Sequence, residues 1–218
     1  MMQPIRQDQD YHQFADTRAF LGVENAADVL SNIPFILVGA MGLLILWRRG
    51  GLRAYWVFFF AILATGFGSA YYHLVPGDGR LLWDRMPIAI AFMALLSAVV
   101  SERVHAKAGN ALLIPLVALG AASVLWWAKV DDLRPYLVVQ YGGLAAIVGL
   151  CAWFPSRGGL ILAAAGIYGL AKVCELNDRL IFEFTGGLLG GHTLKHVLAA
   201  LALLVITWAF HQTREGMA

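Results

Sequence analysis

The chain alternates long apolar runs with short polar breaks. The apolar runs occupy residues 28–47, 54–74, 84–101, 110–128, 135–154, 160–176 and 192–211. Because a helix needs about 20 mostly apolar residues to cross the hydrocarbon core of a bilayer, each run predicts one transmembrane helix. The pattern therefore predicts an all-α integral membrane protein, a bundle of seven transmembrane helices.

The breaks between the runs carry turn-forming residues. Five of them read "RRGGLR", "VPGDGR", "AGN", "DDLRP" and "PSRGG", and such clusters of glycine, proline and polar residues mark connections. The sixth, "NDRLIFEFTGGLLGG", is longer, and we expect it to lie at the membrane interface or to be partly helical. No internal repeat divides the chain. We expect a single domain over residues 1–218, beginning with a polar segment over residues 1–27.

Composition narrows the class of protein further. Hydrophobic residues make up 60% of the 218 residues and charged residues only 14%, with a formal net charge of +2, which is far from a typical soluble domain. The basic residues are scattered singly along short loops, so nucleic-acid binding is excluded. The N-terminal residues lack the pattern of a cleavable signal peptide, and we expect the first apolar run to direct insertion.

Two of the apolar runs contain histidines together with other polar residues. The stretch "GSAYYH" covers residues 68–73 at the end of the second run, and "GHTLKH" covers residues 191–196 at the start of the seventh. Because consecutive spans cross the membrane in opposite directions, both stretches lie on the side of the N-terminus, as does Asp84 at the start of the third run. Residues four apart share one helix face. We therefore expect polar side chains from three helices to converge.

The converging residues fit a hydrolytic zinc site within the membrane. A catalytic zinc takes three protein ligands and keeps a fourth position for water, and His73, His192 and His196 are the candidate ligands. Asp84 is the candidate carboxylate that accepts a proton from water and passes it to the leaving group. The Ser69 hydroxyl is the candidate donor to the oxyanion that forms when a carbonyl is attacked.

The histidines by themselves are also compatible with roles that involve no hydrolysis. Histidine and serine in membrane helices often only hydrogen-bond to a neighbouring helix. Facing histidines also bind haem in membrane cytochromes, although the nearby aspartate and serine fit hydrolysis better. A channel or transporter is less favoured because the polar groups gather at one end instead of lining a path across the bilayer. Ionisable groups inside a membrane usually mark function, which favours chemistry for the whole set.

Further polar and aromatic residues are assigned structural roles. Lys172 and Glu175 are spaced to pair on one helix face, and Lys195 is expected on a different face from the histidines beside it. The other histidines fall outside the converging set: His12, His105 and His211. Aromatic residues near the span ends are expected to be interfacial belt residues or packing residues, and not to form a substrate cage. These are Tyr71, Tyr72, Trp83, Trp126 and Trp127.

The ordered polar residues resemble the alkaline ceramidase family. The common pattern is S-x3-H near the end of the second span, an aspartate eleven residues after that histidine, and H-x3-H opening the seventh span. The stretch "ENAADVLSNIPFILVGAMGLL", with Ser31 and Asn32 before an apolar run, also looks like the beginning of that family's first helix. The family belongs to the CREST group of seven-helix membrane hydrolases, and the likeness covers most of the chain.

The resemblance implies a zinc-dependent amidohydrolase. Zinc would be held by His73, His192 and His196, with Ser69 and Asp84 serving the oxyanion and the water. The expected reaction is hydrolysis of a ceramide-like lipid to a fatty acid and a sphingoid-type base, a step of sphingolipid metabolism. The adiponectin-receptor-like branch of the same group carries a similar zinc constellation. A receptor or signalling role, or hydrolysis of another lipid, is therefore the alternative.

The resemblance also implies a calcium site before the first helix. Oxygen ligands are what calcium prefers, and the candidates are Asp16, Glu24, Asn25 and Asp28. The tryptophan-containing acidic signature of the family is missing from this segment, so the match here is imperfect.

Charge around the first span predicts an orientation. Arg48, Arg49 and Arg53 directly follow the first span, and basic residues favour the cytoplasmic side. We therefore expect the N-terminus and the zinc site on the non-cytoplasmic side and the C-terminus in the cytoplasm. The expected partner is a ceramide-like membrane lipid, and the sequence gives no sign of an obligate protein partner.

Overall fold

Proline, glycine and polar residues divide the chain into helices where the turn signals predict. The computed structural model describes residues 3–154 and 159–215, and ten α-helices form within them. They are α1 Ala26–Leu30, α2 Ile33–Arg49, α3 Arg53–Leu74, α4 Asp78–Arg103, α5 Ala106–Val130, α6 Arg134–Leu137, α7 Gly143–Trp153, α8 Gly159–Leu176, α9 Asp178–Phe184 and α10 Gly191–Glu215. A single π-helical segment, Val138–Gly142, joins α6 to α7. Most of the "PSRGG" break lies outside the described residues.

Seven stretches are long and apolar enough to cross a membrane, which confirms the predicted bundle. The first combines α1 with α2, and the fifth combines α6, the π segment and α7. The third span begins at Asp78, earlier than predicted, because "DGR" forms the first turn of α4. The long sixth break contains α9, so the expectation of partial helicity is confirmed.

The break between α1 and α2 has a clear local cause. Ser31 and Asn32 separate the two helices, and Pro34 stands in the first turn of α2, where a missing backbone N–H costs nothing. Asn32 is fully buried although it is polar, because its amide nitrogen donates to the Asp28 carbonyl at 2.7 Å. The kinked entrance to the first span thus points polar side chains into the bundle.

Helix α4 is the most enclosed of the seven spans. It packs against α3, α5 and α7, while α10 packs against α8 and α2. A large apolar core fills the space between these helices, and among its fully enclosed side chains are Phe58, Phe59 and Phe210. This packing brings α3, α4 and α10 around one end of the bundle.

The polar N-terminal segment folds back over that same end. Phe14 packs into a second apolar cluster with Tyr72 and Trp127, and its ring lies 4.7 Å from that of His73. The backbone carbonyl of Ile5 accepts a hydrogen bond from the Leu133 amide at 2.8 Å. The N-terminus and the histidines therefore share one end of the bundle, as the alternation of spans predicts.

Candidate metal centre

Three buried histidines meet between the end of α3 and the start of α10. His73 lies in the last turn of α3, and His192 and His196 lie one turn apart at the start of α10. Their ring centroids are 4.8 to 4.9 Å apart, and each side chain is at most 4% exposed. One nitrogen from each ring lies within 4.8 Å of the others, so the group could hold a metal ion. The predicted convergence of the three candidate ligands is confirmed.

The spacing and the unpaired nitrogens fit zinc. Nitrogens bound to a tetrahedral zinc at 2.0–2.1 Å lie about 3.3 to 3.4 Å from each other, and the Nε2 atoms of His73 and His192 are 3.3 Å apart. The Nε2 atom of His196 is buried and has no hydrogen-bond partner among the described residues. A buried nitrogen without a partner is costly, and a bound metal ion would engage it.

The start of α10 is fixed by a close approach of backbone. A side chain at Gly191 would place its Cβ 2.2 Å from the Cys174 carbonyl oxygen and 2.7 Å from Asp178 Cα, so only glycine fits. The Asp178 carboxylate accepts hydrogen bonds from the His192 amide and the Ala15 amide, both at 2.8 Å. This carboxylate satisfies an N–H group of the first turn of α10 and ties the N-terminal segment to it.

Ser31 determines which nitrogen of His196 faces the cluster. Its Oγ donates to the Asp28 carbonyl at 2.9 Å and lies 2.7 Å from His196 Nδ1. Because a hydroxyl has one proton, the Nδ1–H group of His196 is the donor to Ser31. The Nε2 atom therefore carries a lone pair toward the other histidines, which is the arrangement of a metal ligand oriented by an outer hydrogen bond.

Helix α1 and the residue before it support the cluster through two further polar contacts. The Thr193 hydroxyl donates to Asp28 Oδ1 at 2.6 Å, next to His192 in α10. The Asn25 amide donates to the backbone carbonyl of His73 at 2.9 Å. The likeness of "ENAADVLSN" to the family's first helix drew attention to this segment, but the sequence did not reveal that it holds the histidines in place.

Ser69 and Asp84 lie beside the histidines, as the sequence predicts. The Ser69 hydroxyl interacts with the Asp84 carboxylate, and both side chains are buried on the wall of the same cavity as His196. Close packing of α3 on α4 holds the pair, because a Cβ at Gly68 would lie 2.1 Å from the Trp83 carbonyl oxygen. The five predicted residues thus gather from three helices.

Lys195 is a site residue that the sequence interpretation missed. Its Nζ lies 2.9 Å from His192 Nε2 and 3.2 Å from Glu175 Oε1, so its expected position on a separate face was wrong. The long side chain reaches back along the helix, as lysine side chains do. Glu175 also forms the predicted ion pair with Lys172. The two lysines and the glutamate form one buried charge network beside the histidines.

Tyr11 extends this network to the N-terminal segment. Its hydroxyl donates to Glu175 Oε1 at 3.3 Å. Burial and the nearby negative charge of Glu175 raise the pKa of Tyr11 well above its usual range, so the hydroxyl stays protonated and remains a donor.

A cavity of about 450 Å³ runs from the histidines into the bundle. Its inner wall is apolar and includes Phe35, Phe58, Ile62, Leu95, Ile147 and Ile206. Its other end is polar, with His196, Asp84 and Lys195 on one side and residues of the N-terminal segment on the other. The shape suits a ligand with an apolar chain and a polar end.

The four candidate calcium ligands occupy separate environments. Asp16 binds the Arg18 side chain at 2.6 and 2.8 Å, and these hydrogen bonds lower the pKa of Asp16. Glu24 lies at the surface, Asn25 contacts His73, and Asp28 contacts Thr193. Among the described residues, the acidic candidates do not form a group comparable to the histidines. The calcium site stays a prediction.

The aromatic residues near the span ends divide between buried packing positions and the outer surface of the bundle. Tyr72 is 1% exposed and Trp127 is 2% exposed, and the Tyr72 hydroxyl lies 2.8 Å from His12 Nδ1. Tyr71, Trp83 and Trp126 are exposed on the outside of the bundle, as a belt requires. Of the two predicted roles, Tyr72 and Trp127 therefore have the packing role, because the N-terminal segment covers their end of the bundle.

Comparison with known proteins adds no relative. No family model matches the chain, and no curated protein matches it. The resemblance to the alkaline ceramidases thus rests on the ordered polar residues and the first-helix stretch, and the candidate metal centre is supported by the geometry of the three histidines. The chain is a multi-pass membrane protein of seven spans with a histidine cluster that could hold a metal ion.

Proposed function

We propose that this protein is a zinc-dependent hydrolase that cleaves the amide bond of a ceramide-like membrane lipid. The observation that carries the proposal is the position of the histidine cluster and the Ser69–Asp84 pair beside one cavity with an apolar inner end. An acyl chain fits that apolar end, which brings the carbonyl of a lipid amide to the polar end.

His73, His192 and His196 would hold the zinc ion through their Nε2 atoms. Such a metal supplies a Lewis acid that makes water nucleophilic near neutral pH. Ser31 supports this role of the chain by keeping the proton of His196 on Nδ1.

Asp84 and Ser69 supply the remaining chemistry. The Asp84 carboxylate accepts the proton of the attacking water and delivers it to the leaving nitrogen, so that the amine departs neutral. The Ser69 hydroxyl donates a hydrogen bond to the carbonyl oxygen as negative charge develops there. The apolar cavity wall keeps bulk water away, which strengthens both interactions.

Release of fatty acid from a fluorescent ceramide by the detergent-purified protein tests this proposal. We expect zinc-dependent release that falls about 100-fold or more in Asp84→Asn and in Ser69→Ala, while both variants keep their zinc. Ser123→Ala removes a buried hydroxyl that donates to a carbonyl of its own helix, α5, and serves as the matched control. A zinc-loaded wild type that releases no fatty acid from any amide or ester lipid would contradict the proposal and favour a receptor-like role.

A further inference from the structure

Arg85 is a buried cation that the proposed chemistry does not use. It follows Asp84 on α4, is only 6% exposed, and lies on the wall of the cavity that also contains His196. Three aromatic rings surround its guanidinium carbon, at 4.3 Å for Trp127, 5.1 Å for Tyr136 and 5.4 Å for Tyr11. Cation–π contacts of this kind occupy the faces of the guanidinium and stabilise its charge in an apolar setting.

The edge of this guanidinium lacks a partner at one nitrogen. The Nη1 atom of Arg85 is buried and has no hydrogen-bond partner in the described part of the chain. A charged donor that is buried without an acceptor is costly to a fold. The aromatic rings cover the faces of the Arg85 guanidinium, and its N–H groups point outward from the edge. Two such N–H groups match the oxygens of a carboxylate or a phosphate.

The other charges inside the bundle form no ion pair with Arg85 among the described residues, and Arg6 and Asp8 on the cavity wall are exposed. The Asp84 carboxylate interacts with Ser69 and lies within the field of Arg85. Lys172 and Lys195, the two lysines on the cavity wall, both bind Glu175. Arg85 is thus a buried cation whose charge contacts ring faces instead of a carboxylate.

The position of Arg85 on α4 indicates which part of a bound lipid it would contact. Asp84, the carboxylate assigned to the leaving group, and Arg85 are consecutive on α4, and both side chains line the cavity. The rings around it belong to α5, α6 and the N-terminal segment, at the polar end of the cavity and away from its apolar inner wall. A group bound by Arg85 therefore belongs to the head of a lipid, close to the bond that is cleaved.

We propose that Arg85 binds an anionic group on the amine half of the substrate, so that this chain acts on amide lipids whose small head carries a carboxylate or a phosphate. The inference rests on the proposed hydrolase function, keeps the lipid amide bond, and replaces the neutral head of a ceramide with an anionic one. N-acyl amino acids are the simplest members of that class.

Two lipids that differ only in head-group charge test the assignment by kinetics. N-dodecanoylglycine carries a carboxylate, and N-dodecanoylglycinamide is its neutral counterpart with the same acyl chain. We expect wild-type kcat/KM to favour the anionic lipid by about 10-fold to 100-fold, as for loss of a charged hydrogen-bonding partner. The ratio should approach one in Arg85→Gln and be intermediate in Arg85→Lys, which keeps the charge but loses the fork.

Arg80→Gln provides the matched control for this ratio. Arg80 also lies on α4 and stacks on a tyrosine, Tyr71, at 4.4 Å, but it does not line the cavity. We expect it to keep the wild-type ratio. A wild-type ratio near one overturns the proposal. A folded Arg85→Gln variant that keeps the wild-type ratio also overturns it. The wild-type comparison decides the matter even where Arg85→Gln does not fold.

Binding separates failure of this inference from failure of the hydrolase function. Should neither lipid be hydrolysed, calorimetric titration of the wild type with the same two lipids still tests Arg85. The anion site is supported if the wild type binds N-dodecanoylglycine about tenfold or more tightly than N-dodecanoylglycinamide, and if this preference is reduced in Arg85→Lys and lost in Arg85→Gln. Equal affinities of the wild type for the two lipids overturn it. Dodecanoate is the third probe. If dodecanoate also binds more tightly than N-dodecanoylglycinamide, and loses this extra affinity in Arg85→Gln, the residue binds the carboxylate of a free fatty acid. That result would overturn the head-group assignment.

Discussion

The Nε2 atoms of His73 and His192 lie 3.3 Å apart although 119 positions separate the two residues in the chain. Two neutral imidazoles turn these nitrogens toward each other only if one of them donates or a cation lies between them. Lys195 Nζ is 2.9 Å from His192 Nε2, and a bound metal ion would replace this ammonium at the His192 lone pair. The 3.3 Å separation matches that of two nitrogen ligands on one tetrahedral ion.

Ser31→Ala is expected to weaken metal binding while leaving all three histidines in place. The change removes the acceptor at 2.7 Å from His196 Nδ1, so the ring loses the bond that fixes its tautomer and orientation. Loss of such an outer partner lowers metal affinity by about 10-fold to 100-fold. Zinc titration with a competing chelator measures the change. Ser97→Ala, which removes a buried hydroxyl bonded to the Gly109 carbonyl, should retain wild-type affinity.

Gly68→Ala is expected to impair catalysis and spare the metal. Its Cβ would lie 2.1 Å from the Trp83 carbonyl oxygen, so α3 and α4 must separate by about an ångström, and Ser69 must move away from Asp84. A displacement of this size costs about 100-fold in rate. The measurement is kcat together with zinc content. Gly149→Ala, with nothing within 4 Å of the new Cβ, is the control, and equal kcat in the two variants would contradict the account.

Glu175→Gln is expected to destabilise the fold. Glu175 binds Lys172 and Lys195, and its side chain is 9% exposed. Removing its charge leaves two partly buried ammonium groups without their acid, which costs up to about 3 kcal/mol. Detergent-induced unfolding measures the loss.

Restoring the charge balance tests the reason for that loss. The double variant Glu175→Gln/Lys172→Met should recover part of the lost stability, because it removes one of the uncompensated cations. Glu183→Gln, at an exposed position in α9, should be neutral. A double variant less stable than Glu175→Gln would show that packing, and not charge, explains the effect.

Attachment of the N-terminal segment is expected to survive mild acid. Asp132 Oδ1 accepts the Ile5 amide at 3.3 Å, and hydrogen bonds from Arg134 hold the pKa of Asp132 at about 2, below its ordinary 3.8. Because the pKa is lowered in the folded state, this attachment is fully present above about pH 4 and is lost as the pH falls through 2.

Hydrogen exchange of the Ile5 amide, corrected for its intrinsic rate, follows this attachment. Protection should be constant from about pH 7 to about pH 4 and decline below that. In Asp132→Ala, which removes the acceptor of the Ile5 amide, it should be low throughout, while amides of α4 stay protected as the internal reference. A loss of protection centred between about pH 5 and 7 would contradict the assignment to Asp132.

The spans and the five polar residues were predictable from sequence for physical reasons. Transmembrane helices need long apolar runs, and alternation of direction decides which ends meet. Lys195 and Arg85 escaped prediction because their roles depend on reach and on neighbours from other helices. Lys195 turns back along α10 to Glu175 on α8, and Arg85 depends on rings of α5, α6 and the N-terminal segment. No local pattern contains such contacts.

Ser31 shows a second limit of sequence interpretation. The pattern "SNIP" marks the break before α2, since proline belongs in a first helical turn. Its hydroxyl nevertheless serves His196, 165 positions away. A signal did exist, because two polar residues between apolar runs in a membrane span are expensive unless they have partners. Identifying those partners required the packing of α1 against α10.

The most direct test of the central claim is the zinc content of the purified wild-type protein and of His196→Ala, determined by elemental analysis. His211→Ala, which removes a histidine at the far end of α10, is the control. We predict about one zinc per chain in the wild type and the control and near zero in His196→Ala, with release of fatty acid lost in parallel. Equal metal content in all three proteins, or none in the folded wild type, would contradict a metal centre at His73, His192 and His196.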